Sequence, residues 1–182
     1  SKLTLENNLK IIKHSYNNIN GGTSRYFIVK KNNMKFNEQN LSNVIKNEKK
    51  IKLNNLITYK KFFKKIEKIK VNFKKLLLKV KKQKKVIHGY GASTKGNVLM
   101  QFFQIDSKLL DLIADRNPSK NNLYTPGSKI KIVSENVSRR KKPDYYFVLP
   151  WHFKKEILKR EIKIRKNGTK FIFPLPSLKI FS

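Results

Sequence analysis

The residues best suited to binding chemistry lie between positions 86 and 97, where the chain reads V-I-H-G-Y-G-A-S-T-K-G-N. An apolar run enters a segment with three glycines, two hydroxyl side chains and one lysine. Glycine lets main-chain N–H groups approach an anion closely, and a helix that begins there adds positive potential. The pattern therefore predicts a phosphate site. Its candidate residues are Gly89, Gly91, Ser93, Thr94, Lys95, Gly96 and Asn97.

The glycine spacing matches neither of the two common phosphate-binding fingerprints. Gly89 and Gly91 begin the dinucleotide pattern, but Gly96 comes too late to be its third glycine. Gly91 and Gly96 have the spacing of a P-loop, but Asn97 stands where lysine is required. Two interpretations remain open: a nucleotide or diphosphate site, which we favour, and a tight turn that needs glycine for packing.

Other candidates follow the ends of predicted strands. Asp115 ends the strand after the glycine segment, where an acid often binds a ribose. His152 follows a strand end, where it either contacts substrate or starts a helix. His14 and His88 fall within predicted strands, where we expect structural roles.

Several kinds of catalytic or metal site are excluded or unsupported. The chain has no Cys, which excludes disulfides, cysteine nucleophiles and thiolate zinc sites and fits a reducing cytoplasm. No histidine has metal-ligand spacing to another, and no serine lies in a G-x-S-x-G motif. The sequence contains no apolar run long enough to span a bilayer.

The pattern of elements predicts an α/β fold with a Rossmann-like, doubly wound, mostly parallel sheet. A hairpin around Asn20-Gly21-Gly22 comes first, and we expect it to belong to a larger sheet. Two basic helices follow, at 38–51 and 55–83, the second with an apolar stripe and a start capped by Asn54 or Asn55. The predicted strands then cover 85–90, 109–114, 130–133, 144–149 and 170–173, and the helices cover 94–104 and 152–166.

The length of 182 residues suits one ordinary domain, or one domain plus a fragment of another, and 38% hydrophobic residues are enough to build a core. The net charge is +32, which invites a nucleic-acid interpretation. Only six of the 43 basic residues are Arg, however, and Arg is the usual residue for reading bases and clamping phosphates. We therefore keep a basic nucleic-acid-associated protein as the lesser alternative.

Four segments in order resemble the C-terminal domain of S-adenosylmethionine-dependent sugar C-methyltransferases. They read G-Y-G-A-S-T-K-G-N, D-R-N-P-S-K with Y-T-P-G-S-K-I-K-I-V-S, P-D-Y-Y-F-V-L-P-W-H-F, and K-F-I-F-P-L-P. Upstream, N-G-G-T-S-R-Y-F-I-V resembles the closing hairpin of the methyltransferase domain in that family. The resemblance implies three parts: 1–37 as that hairpin, 38–84 as a helical connector, and 85–182 as the Rossmann-like domain.

The resemblance also implies a division of labour. The C-terminal domain would bind the nucleoside diphosphate of a sugar substrate, with Asp115 and Tyr124 as candidates for the nucleoside side. Arg25 would face the cleft between domains. By the resemblance, S-adenosylmethionine would bind to an N-terminal domain of the complete enzyme, whereas the first 84 residues of this chain contain no glycine-rich donor loop. We therefore expect a truncated or split enzyme, with a separately encoded methyltransferase half as a possible partner. Asn20 stands where well-known members carry His, and Asn cannot act as a base; a non-catalytic nucleotide-binding module is thus the main alternative.

Overall fold

The computed structural model describes residues 2–182, which divide into two compact units between Phe63 and Lys64. The first unit contains the predicted hairpin, an antiparallel pair with an irregularity between Ile11 and Lys13. Its elements are α1 (Lys2–Glu6), β1 (Leu9–Asn17), β2 (Thr23–Lys30) and α2 (Ser42–Lys50). Within residues 2–63 the hairpin is a two-stranded sheet, so the larger sheet stays a prediction.

The long helix predicted over 55–83 is α3 (Leu56–Lys82), and one of the two residues predicted to cap its start does so. The Asn55 side chain accepts a hydrogen bond of 2.8 Å from the Ile57 amide, which caps the helix. The apolar stripe is buried only over its second half, from Ile69 to Val80, within the second unit. Its earlier aromatic residues are at least half exposed; they are Tyr59, Phe62 and Phe63.

The second unit is built on a six-stranded sheet with the spatial order β5-β4-β3-β6-β7-β8. The strands are β3 (Ile87–Tyr90), β4 (Ile113–Asp115), β5 (Ile132–Ser134), β6 (Tyr145–Val148), β7 (Lys170–Phe173) and β8 (Lys179–Phe181). All neighbouring pairs are parallel except β7 and β8. Counted from its own first strand, the order is 3-2-1-4-5-6, that of doubly wound dinucleotide-binding folds. The predicted fold class is therefore confirmed.

Helices cover both faces of this sheet, which explains why its strands read as nearly continuous apolar runs. The helices that follow α3 are α4 (Thr94–Phe103), α5 (Glu135–Arg140), α6 (Lys154–Arg160) and α7 (Ile162–Lys166). On one face Phe73 of α3 packs against Phe103 and Phe147. On the other face Tyr146 packs against Phe171 beside α6.

Several element boundaries differ from the sequence prediction. The strand expected from Leu109 begins only at Ile113. The single helix expected over 152–166 is interrupted at Glu161, whose backbone leaves the helical region while its side chain turns into the interior. Three elements were not predicted: α1, α5 and the edge strand β8. The sequence does contain a signal for α5, because Ser134 accepts a hydrogen bond from the Val137 amide and caps it.

Candidate functional site

A cavity of about 420 Å³ opens at the carboxyl edge of the sheet, where β3 and β6 lie side by side and the chain connections leave in opposite directions. Ligands of open α/β sheets bind at this switch point. We call it the switch-point cavity. Its lining residues are Tyr90, Gly91, Ala92, Ser93, Asp115, Arg116, Lys120, Glu135, Pro150, Phe153, Glu156, Ile157 and Arg160.

A larger cavity, of about 700 Å³, lies at the opposite edge, where β6 and β7 begin. Its walls include Pro143, Asp144, Gly168 and Thr169. The side chains of Asp144 and Thr169 already bond to the backbone of Val86 and Pro143. Because ligands of this fold bind at the carboxyl edge and the glycine loop lies there, we place the candidate site in the switch-point cavity.

The glycines of the loop have different physical roles. Gly91 has φ +79°, a left-handed conformation that favours glycine, and it lines the cavity. Gly89 lies within β3, where a Cβ would fall 2.6 Å from the Ile113 side chain. Gly96 lies in α4, where a Cβ would fall 2.4 Å from Cβ of Leu149. Packing thus accounts for Gly89 and Gly96, and the loop glycine that lines the cavity is Gly91.

Ser93 caps α4 at the cavity wall. Its side-chain oxygen accepts a hydrogen bond of 3.1 Å from the Gly96 amide, and its own amide donates to the Gly91 carbonyl. The first amides of a helix lack acceptors within the helix and carry partial positive charge. The start of α4, at Thr94, therefore brings N–H donors to this edge of the sheet, as an anion site requires.

Asp115 ends β4 beside the same loop, but its carboxylate is already engaged. One oxygen accepts from the Ala92 amide at 2.7 Å, and the other accepts from the Asn117 amide at 2.8 Å. The Lys120 ammonium lies 3.4 Å from the first oxygen and donates to the Ala92 carbonyl at 2.8 Å. Asp115 therefore braces the glycine loop.

The remaining candidates do not line the switch-point cavity. Lys95 and Asn97 lie on α4, and Tyr124 is 61% exposed beside Lys131. Arg25 lies on β2 in the first unit, paired across the hairpin with Ser15. The structure thus brings together Gly91, Ser93 and Asp115 from the predicted set.

His152 lies in a single 3₁₀ turn after β6, next to the cavity residue Phe153. Its Nδ1 is buried and has no hydrogen-bond partner among the residues that the structure describes. Burial and, next, the positive charge of Lys95 lower the pKa of His152, so the ring is held neutral. His152 thus borders the site with an unused acceptor or donor.

His88 has the structural role expected for it. It is buried in β3, and its Nδ1 lies 2.8 Å from the Ser138 hydroxyl, which in turn bonds to the Tyr146 hydroxyl at 2.9 Å. Burial lowers the pKa of His88 to about 4, so the imidazole is neutral at physiological pH. This hydrogen-bonded chain fixes α5 to the sheet.

Sequence reasoning missed a buried charge network beneath the cavity. The Tyr90 hydroxyl donates to Glu161 at 2.6 Å, and Arg139 and Arg160 reach the same carboxylate at 3.0 and 2.9 Å. Both arginines also pair with Glu135. These residues are up to 71 positions apart, so no local pattern could have joined them.

The contacts within this network determine the charge states of Glu161 and Tyr90. Burial of Glu161 opposes ionisation, but hydrogen bonds from Tyr90 and Arg160 and the charge of Arg139 outweigh it and leave the pKa below its usual range. Burial, together with the bond to Glu161, raises the pKa of Tyr90. Glu161 is therefore ionised and Tyr90 is neutral. Arg160, which lines the cavity, is held in place by its carboxylate partners.

Within residues 2–182, no helix is long and apolar enough to cross a membrane. Those residues also contain no group of three or more His, Asp or Glu side chains that could hold a metal ion.

Comparison with known proteins identifies the family of this chain. The sequence family described as the C-methyltransferase C-terminal domain matches residues 18–176. The C-methyltransferase NovU of Streptomyces niveus is 31% identical over 124 residues, which are 68% of this chain and 30% of NovU. The match thus spans less than a third of the length of that relative.

Proposed function

Because this chain belongs to the family of C-methyltransferase C-terminal domains, we propose that its switch-point cavity binds a nucleoside-diphosphate-linked deoxysugar. The sugar would be the methyl acceptor of a C-methyltransferase. One observation carries the proposal: the glycine loop, up to the α4 N-cap residue Ser93, lines a cavity of about 420 Å³ at the switch point of a 3-2-1-4-5-6 sheet. That volume is within the range of small-molecule sites.

The chemistry of the lining suits a ligand with both phosphates and hydroxyl groups. Gly91 and Ser93 let an anion approach the helix start closely, and Lys120 and Arg116 supply positive charge. Glu156 lines the cavity and forms no ion pair within residues 2–182, so its carboxylate can accept hydrogen bonds from sugar hydroxyls.

The methyl donor implied by the family, S-adenosylmethionine, does not fit the described residues as a resident cofactor. The first unit has no glycine loop between a strand and a helix, since its glycines lie in the hairpin turn. In the second unit the acid at the end of β4, Asp115, is engaged by the Ala92 and Asn117 amides and does not offer a carboxylate to a donor ribose. We therefore propose that the donor binds to a methyltransferase domain outside the described residues.

The hairpin is the proposed contact for such a domain. β2 exposes Tyr26, Phe27 and Ile28 to 43%, 39% and 45%, and consecutive strand residues point to opposite faces. An isolated two-stranded hairpin is marginally stable in water. A separately encoded methyltransferase half would cover these apolar faces. Asn20, in the hairpin turn, has an amide that cannot accept the substrate proton, so the base would be another group.

Calorimetric titration tests the binding step. UDP-sugars and dTDP-sugars should bind to the 182-residue chain with one site, while uridine and thymidine should bind much more weakly, because the phosphates are absent. If no nucleoside diphosphate sugar releases or absorbs heat on mixing, the proposal fails.

Methyl transfer tests the catalytic half of the proposal. The chain is mixed with labelled S-adenosylmethionine and a dTDP-deoxysugar, alone and with an added methyltransferase half. Label in the sugar only with both halves supports a divided enzyme. Nucleotide binding without transfer in either mixture would instead favour the second candidate, a nucleotide-binding module that has lost catalysis, to which Asn20 points.

A further inference from the structure

We propose that Lys120 is the cation that binds the diphosphate in the switch-point cavity. This inference deepens the proposed function and rests on it, since it takes a nucleoside diphosphate as the ligand. The sequence pattern favoured Lys95 for this task, because that lysine lies within the glycine segment. The geometry points to a residue that belongs to a different loop.

Lys120 reaches the glycine loop from the turn after β4. Its ammonium donates to the Ala92 carbonyl at 2.8 Å and lies 3.4 Å from the Asp115 carboxylate. The side chain lines the cavity and remains 37% exposed. An ammonium carries three protons, so these two contacts leave one for a ligand. A phosphate at the glycine loop would thus meet a positive charge already held in place.

The turn that carries Lys120 is fixed by its own side chains. The Asn117 carbonyl oxygen accepts from the Ser119 amide at 3.0 Å and from the Ser119 hydroxyl at 2.8 Å. Pro118 fixes the first residue of the 3₁₀ turn, and the Asn117 amide donates to Asp115. The segment D-R-N-P-S-K therefore folds back so that its final lysine returns to the loop. Little conformational freedom is left for a ligand to remove.

Other cations of this region are less suitable. Lys95 does not line the cavity, and its charge acts on His152. Arg160 lines the cavity, but Glu135 and Glu161 hold its guanidinium. Arg116 lines the cavity from an exposed position, where a charge is screened by water and salt. Lys120 combines contact with the loop, partial burial and an unused proton.

This arrangement also differs from that of dinucleotide sites in which an acid accepts hydrogen bonds from the ribose hydroxyls. The acid at the end of the second strand usually accepts the ribose hydroxyls. Here Asp115 accepts main-chain amides and faces Lys120, so the ligand meets an ammonium at this point. We therefore expect affinity to depend on the phosphates more than on the ribose at this wall.

The test is isothermal titration of the 182-residue chain with UDP and dTDP. K120M, which keeps the length of the side chain and removes its charge, should weaken binding about tenfold to a hundredfold, the range for a hydrogen bond to a charged group. Its binding should also become less sensitive to salt. The matched control K95M should change affinity by less than about threefold. Weak binding of uridine and thymidine should be the same in all variants.

Lys120 also holds the loop, so a second variant separates charge from structure. K120R keeps the positive charge and should retain most of the affinity and the salt dependence, with melting temperatures measured for each variant. Equal losses of binding in K120R and K120M would overturn the proposal in favour of a structural role. Normal UDP binding by K120M, together with loss of UDP binding in K95M or R116M, would also overturn the proposal. If wild type itself binds no nucleoside diphosphate, the proposed function fails, which is a distinct result.

Discussion

Gly96→Ala directly tests how closely α4 lies against the strand end of β6. A Cβ at this position would lie 2.4 Å from Cβ and 3.2 Å from Cα of Leu149, and 2.9 Å from the Ser93 hydroxyl oxygen. Neither Leu149 atom can move by a change of rotamer. Overpacking of this kind costs about 1–3 kcal/mol. Helix propensity acts in the other direction, since replacing glycine by alanine inside a helix stabilises by about 1 kcal/mol.

Because the nearest contacts are with atoms that only a backbone shift can relieve, we expect the upper end of the overpacking range. After subtraction of the propensity gain, the free energy of unfolding should fall by about 2 kcal/mol. Urea unfolding measures it, with Val98→Ala as control on an exposed position of the same helix, expected to change stability by about 0.5 kcal/mol or less. A G96A protein as stable as wild type, or more stable, would refute the close packing. Binding of UDP should fall as well, because Ser93 would be displaced.

Three further outcomes follow from buried polar groups. Glu161→Gln should lower the free energy of unfolding by about 3 kcal/mol at pH 7, because two guanidiniums lose their carboxylate partner. Since the pKa of Glu161 in the folded protein lies below 4.5, the difference from wild type in urea unfolding should shrink as pH falls below that value. The pKa of His88 falls from 6.5 to about 4 on folding, so between these pH values the unfolded chain binds a proton that the folded chain does not. The free energy of unfolding should therefore be highest above pH 6.5 and decrease by up to about 3 kcal/mol towards pH 4. His88→Gln should flatten this slope, and an unchanged slope would contradict the burial argument. Asp115→Asn should lower the free energy of unfolding by about 1–3 kcal/mol and weaken UDP binding, because the NH₂ group of the new side chain would face a main-chain N–H donor. An unchanged melting temperature and unchanged UDP binding would show that Asp115 does not brace the loop.

The sequence predicted the elements whose signals are local. The periodic apolar residues of α3 and its Asn55 cap, the hairpin turn after Ile19, and the buried strands of the sheet all follow from spacing and residue type. The helix over 152–166 was predicted as one element because its break has a tertiary cause. Glu161 turns inward to meet Tyr90 and Arg139, and no neighbour in sequence indicates that.

The sequence predicts the location of the candidate site in the fold better than it predicts the side chains that line it. A glycine loop between strand and helix indicates the correct edge of the sheet, since parallel strands end together. The other residues that line the cavity come from the end of β4, the loops that follow β4 and β6, and the helices α5 and α6, and the crossovers of the sheet decide which of these elements meet. Lys120 and Glu156 could be identified only once Asp115 and Glu135 were seen to be engaged.

The distribution of charge bears on the choice between a nucleotide and a nucleic acid. The chain carries +32, yet the switch-point cavity is lined by three acids and three bases: Asp115, Glu135, Glu156, Arg116, Lys120 and Arg160. A polyanion attracted to the lysine-rich surface would release many counterions, so its binding would weaken steeply with salt. A nucleoside diphosphate that contacts one available ammonium beside balanced ion pairs would lose much less affinity. Titrations of UDP and of a single-stranded oligonucleotide between about 50 and 300 mM NaCl, over which the Debye length falls from about 14 Å to about 6 Å, should therefore give a shallow and a steep dependence respectively. A UDP dependence as steep as that of the oligonucleotide would mean that the nucleotide binds to the basic surface and not in the cavity.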